Sequence, residues 1–136
     1  VHGKNLIADF RNWNAESLYF FDNNRNILEL IARRDLNNPA TRPFDPGSLL
    51  SVSEMGIVTH NVEEECRSLK ETMQLYYFSR HPPLKDFAAM GDDQGLFIVV
   101  TVKRNWYPTE ITSDFFNFRI VFNQNEQEFV YESVKL

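Results

Sequence analysis

Apolar residues along this chain fall into short runs separated by polar turns. The first clear pair spans residues 17–33, SLYFFDNNRNILELIAR. Two runs rich in aromatic and branched side chains flank Asp22-Asn23-Asn24-Arg25-Asn26, a pattern that predicts a β-hairpin. The turn holds no glycine, so asparagine, which tolerates left-handed backbone, is expected to supply that conformation. Residues 37–48 (NNPATRPFDPGS) carry three of the six prolines and read as a loop. A strand is expected over 51–59. The stretch VEEECRSLKETM at 62–73 then places Val62, Cys66, Leu69 and Met73 along one stripe of a helix. Asn61 followed by Glu64 resembles a capping box, and the acidic first turn suits the helix dipole.

Further strands are expected near 75–79, 86–90 and 95–102, with Asp92-Asp93-Gln94-Gly95 turning between the last two. Residues 115–123 alternate, with Phe116, Phe118, Ile120 and Phe122 on one face and Asn117 and Arg119 on the other. A final strand at 128–134 can pair with them. The pattern is that of an α+β protein with few helices. Its 136 residues suit a single domain, and the 12 phenylalanines and 5 tyrosines favour strands.

Charge and cysteine content narrow the function classes. A net charge of −5 lacks the basic footprint of a nucleic-acid partner. No apolar stretch approaches the roughly 18 residues of a membrane span, and no signal peptide opens the chain, so no membrane partner is expected. A single cysteine excludes an intrachain disulfide framework and a cysteine-based zinc cluster, which fits a cytoplasmic location. The first residue is Val1, and the natural chain is expected to begin upstream or to have been trimmed.

Three segments carry a resemblance. AESLYFFDNNRNILELIAR (15–33) resembles the closing hairpin of vicinal-oxygen-chelate modules, those of glyoxalase I, bleomycin-resistance proteins and extradiol dioxygenases. SEMGIVTHNVEE (53–64) is similar to the module's first strand and helix start, and MGDDQGLFIVV (90–100) to its third and fourth strands. Together with NWNAES and WYPT they look most like a bacterial subgroup in which further module halves precede the point where this chain begins. The match covers roughly residues 10–110. Asn23 and Arg25 replace the usual turn proline and glycine, and 114–136 extends past the matched unit. The resemblance implies βαβββ modules on a mixed, curved sheet within one domain, 1–136. Residues 1–36 would end one module, 37–50 link, 51–103 form the second module, and 114–136 form a C-terminal hairpin.

It also implies a small-molecule ligand in the cup of the sheet. In enzymatic members, one divalent metal ion serves a lyase, isomerase or dioxygenase. The rival forms are a non-catalytic, ligand-sequestering protein and an oligomerisation module. Glu29 falls at the last-strand glutamate position, which the resemblance implies as a metal ligand or pocket residue, and shares a face with Ile27 and Ile31; the bland alternative is a rim glutamate paired with Arg33 or Arg34. Glu54 stands where relatives carry a histidine ligand. Its carboxylate would suit a hard ion rather than a histidine-rich centre, or simply face solvent. Trp13, Tyr19, Trp106 and Tyr107 are pocket candidates, with plain packing as the alternative. His60 reads as a surface or capping residue, and His2 and His81 lack partners at metal spacing. Cys66 reads as a small core residue and Asp92-Asp93 as turn chemistry. With one module whole and the other cut to its hairpin, apolar sheet is left to cover, so a homodimer is expected.

Overall fold

The structure, a computed structural model, describes residues 7–134. Among them eight strands in three sheets and one α-helix make an α+β architecture. The chain divides between Val52 and Ser53 into two compact units.

The first unit is an antiparallel meander of β1 (Ile7–Phe10), β2 (Ala15–Phe21) and β3 (Ile27–Arg33), in that order. The pairing of β2 with β3 sets Tyr19 opposite Glu29, Ser17 opposite Ile31 and Ala15 opposite Arg33. The hairpin turn forms where the pattern predicts it, by a different device. Asp22 Oδ1 accepts the amides of Asn24 and Asn26 at 2.9 and 2.8 Å, and its Oδ2 accepts the Asn26 side-chain amide at 2.8 Å. That carboxylate scaffold fixes the bend, and the left-handed residue is Arg25 (φ 65) rather than an asparagine. Strand β1 carries no readable signal in the sequence, because four residues are too few for an alternation to stand out.

In the second unit, β4 (Glu54–Thr59) runs parallel to β6 (Gly95–Thr101), and β5 (Phe87–Asp92) pairs antiparallel with β6, giving the order β4-β6-β5. Helix α1 (Val62–Met73) follows β4. Its N-cap is Asn61, whose side chain accepts the Glu64 amide at 3.2 Å, while the Asn61 amide donates to Thr59 Oγ1. The cap therefore has only half of the reciprocal box. The helix buries Val62, Cys66 and Leu69 against Ile57, Ala88, Met90 and Val99 of the sheet, with Met73 partly buried beside them.

The strand expected at 75–79 is reduced to an isolated bridge between Tyr77 and Met90. The Phe78 amide donates to the Ala89 carbonyl and the Gly91 amide to the Tyr76 carbonyl. Beyond them the chain turns toward Pro82-Pro83, which have no amide hydrogen to continue a ladder.

Strands β7 (Phe118–Gln124) and β8 (Gln127–Ser133) form a separate two-stranded sheet. Phe118, Ile120 and Phe122 pack against the same core, and the Phe122 ring meets Phe97 edge-on at 5.1 Å. Asn125 and Glu126 both adopt positive φ (51° and 64°), as a tight hairpin turn of this twist requires. Phe116 departs from the expected row. It precedes β7, whose pairing starts only at Phe118 opposite Ser133, and it is 68% exposed.

Candidate functional site

Alternation along the strands gives the second unit's sheet two distinct faces. Ile57, Ala88, Met90, Phe97 and Val99 belong to the core that α1 covers. Glu54, Gly56 and Val58 of β4 lie on the other face, beside Leu96, Ile98 and Val100 of β6 in parallel register. Glu54 is half-buried there, at the start of its strand.

Trp106 comes down onto this outer face at Gly56. A Cβ built on Gly56 would lie 2.6 Å from Cη2 of the indole and 3.2 Å from Cζ2 and Cζ3, so the far edge of the ring rests where any side chain would stand. An arm of residues 103–113 carries the indole. At its base the Lys103 amide donates to the Ser113 carbonyl (2.9 Å), the Ser113 amide to the Arg104 carbonyl (2.7 Å) and the buried Ser113 hydroxyl to the Thr101 carbonyl (2.8 Å). Toward its tip the Trp106 amide donates to the Ile111 carbonyl, and the Thr109 amide and hydroxyl both donate to the Trp106 carbonyl. Tyr107 is 57% exposed and lines a shallow depression of about 700 Å³ with Asp86, Lys103 and Arg104. Arg104 is engaged there, bonding Asp86 at 3.0 Å and lying 5.1 Å over the Phe87 ring.

In the first unit, Tyr19 and Glu29 are directly paired on the face that also carries Ser17, Ile31 and Arg33. Both are half-buried, whereas Ser17 and Arg33 are buried. The Arg33 guanidinium lies 5.7 Å over the Trp13 ring. Arg34, the other cation considered for Glu29, pairs with Glu16 at 2.9 Å. Ser17 Oγ is buried with no hydrogen-bond partner. Trp13, in the turn between β1 and β2, and Tyr19 and Glu29 of the sheet thus belong to the first unit, and Glu54, Trp106 and Tyr107 to the second.

A further depression of about 470 Å³ lies between the end of β4, the start of α1 and β8. The Tyr131 hydroxyl donates to Glu65 Oε1 there at 3.1 Å, and burial, with the Glu65 charge beside it, pushes the phenol pKa up. His60 packs on the Phe115 ring at 4.8 Å. Sequence reasoning does not single out Tyr131 or Glu65. They are 66 residues apart, and no local pattern couples them.

Among the described residues, no three His, Cys, Asp or Glu side chains gather as a metal-holding group. His81 packs edge-on against Phe87, with Nδ1 2.8 Å from the Pro82 carbonyl oxygen. His2 lies outside the described residues. Cys66 is buried, and desolvation pushes its thiol pKa up to about 11 despite a hydrogen bond from Tyr77.

No protein-family model matches the chain, and no curated protein matches it at a significant level. Among the described residues, no helix is long and apolar enough to cross a membrane.

Proposed function

We propose that this protein captures a small molecule of planar, largely apolar character on the outer face of the β4-β6-β5 sheet, in the manner of a vicinal-oxygen-chelate protein of the cytoplasm. The observation that carries the reading is the order β4-β6-β5, with a parallel β4–β6 pair, α1 following β4, and Tyr77 bridged to β5. This is the connectivity a β-α-β-β-β unit would have, and it leaves one sheet face free of the helix. Ligand sites combine apolar walls with a few polar groups that fix orientation. Val58 and Ile98, beside each other on the outer face, supply such walls, and the half-buried Glu54 carboxylate the orienting group.

A divalent ion is the second form of the proposal, since Glu54 is an oxygen donor at the position where a ligand is implied. The donor set fits an ion poorly. Among the described residues Glu54 has no companion pair of histidine, cysteine or carboxylate side chains with which to hold an ion.

The test is a titration of planar aromatic compounds followed by thermal shift, with elemental content measured on the same preparation. Saturable binding that weakens in Glu54→Gln supports capture on this face. Absence of any saturable ligand across such a panel would overturn it, and a stoichiometric metal lost in Glu54→Gln would replace it with the metal-dependent form.

A further inference from the structure

We propose that Gly56 and its neighbours form a slot for a flat aromatic ring, and that the chain fills this slot with its own Trp106, so that the indole and a ligand compete for one place. The inference rests on the outer face being the ligand surface and names what that face accepts.

Gly56 sits inside a strand between Met55 and Ile57, where a side-chain-bearing residue would pair and pack better. A glycine at such a position often marks close approach by a ligand or another part of the chain. Here the benzo edge of Trp106 makes that approach, and at 2.6 Å from the position of a Cβ it leaves no room for even an alanine. The slot is therefore shaped by what occupies it: a ring entering edge-first onto strand backbone, beside the half-buried Val58 and Ile98.

The arm is built so that its indole can leave without the arm coming apart. The backbone bonds of Trp106 run to Ile111 and Thr109, inside the arm. The ties to the sheet are at the base, through the Ser113 hydroxyl on Thr101, the Val102 amide on the Thr59 carbonyl, and Arg104 on Asp86 and the Phe87 ring. Lys103, at that base, holds a left-handed φ of 69°, a conformation that a residue with a side chain adopts at a cost. Movement about the base would lift the ring as one piece and uncover a glycine-floored slot of aromatic width.

The test removes the occupant and supplies a substitute. Trp106→Ala, checked for fold by far-UV circular dichroism, is titrated with free indole by calorimetry and thermal shift. Removing the half-buried ring leaves a ring-shaped apolar recess over Gly56 that a free ring can enter. The expected result is saturable indole binding that raises the variant's Tm by a few degrees, with wild type binding roughly tenfold more weakly because its own ring competes. Adding Gly56→Ala to that variant should abolish the uptake. A folded Trp106→Ala protein that takes no indole, or equal binding with and without Gly56→Ala, overturns the slot.

Should Trp106→Ala fail to fold, Gly56→Ala in a Trp13→Phe background reads the same contact. Ejection of the indole should shift its emission to the red and raise its quenching by acrylamide, and unchanged emission overturns the proposal. Panel compounds that bind wild type in a Glu54-dependent way, with no indole uptake by the variant, would remove the slot and leave the capture function standing. Indole uptake with no panel ligand would do the reverse.

Discussion

Two polar side chains set into the apolar layer of the second unit show how burial acts on single residues. Cys66 is 1% exposed, and its thiol pKa rises from 9.0 to about 11, chiefly by desolvation. Such a thiol stays protonated at neutral pH and is a poor nucleophile. Native protein at pH 8 should react with an aromatic disulfide reagent far more slowly than protein in denaturant, and equal rates would show that the thiol is accessible. The raised pKa also makes stability pH-dependent. The folded chain holds the Cys66 proton beyond the pH at which the unfolded chain releases it. The contribution, on the order of 2 kcal/mol, is complete below about pH 9 and lost as pH climbs through about 11. Tyr131, raised by burial and by Glu65, acts in the same direction at higher pH. Cys66→Ala should therefore flatten the alkaline limb of a Tm-versus-pH curve. Asp22 has the opposite sign, because the donors of Asn26 hold its pKa down, so its contribution is present above its ordinary value of 3.8 and fades as pH falls.

At the scale of elements, the ends and turns decide what the sequence could disclose. The helix at 62–73 forms over the expected span because its signals are local: a capping asparagine, an acidic first turn and a stripe at Val62, Cys66 and Leu69. Asn61→Ala should cost about 1 kcal/mol, read as a lowered Tm with unchanged far-UV spectrum. At the other extreme, the β7–β8 turn holds Glu126 at φ 64°, where a side chain is unfavourable. Glu126→Gly should stabilise the protein by several tenths to 1 kcal/mol in denaturant unfolding, and a loss of stability would mean that the Glu126 side chain has a role of its own.

Features set by distant partners were not legible. Residues 75–79 have the composition of a strand yet form only a bridge, because the proline pair that follows ends the ladder. Phe116 continues the alternation on paper but lies outside the paired register. At the site, Glu54 and Trp106 could each be singled out, whereas the seating of Trp106 on Gly56 joins residues 50 positions apart and leaves no trace in local spacing.

On the scale of the whole molecule, the question is which apolar surface is left uncovered once each unit has folded. The row Phe118, Ile120 and Phe122 is satisfied within the second unit, since it packs on the core around Phe97. The outward side of that hairpin is different. Val121 and Val130 are cross-strand partners, 50% and 38% exposed, and among the described residues neither β7 nor β8 pairs with a further strand. Contiguous exposed apolar residues and unpaired strand edges are surfaces that proteins ordinarily cover. Two-fold association is the commonest way for a chain to cover them with itself. We therefore predict a homodimer at micromolar concentration, measured by light scattering coupled to size exclusion. Val121→Lys combined with Val130→Lys should weaken it if the hairpin face is the contact, because a two-fold contact would bring like charges together from both copies. A monomer at every concentration up to the solubility limit would refute association, and the exposed residues would then be ordinary surface that the net charge of −5 keeps in solution.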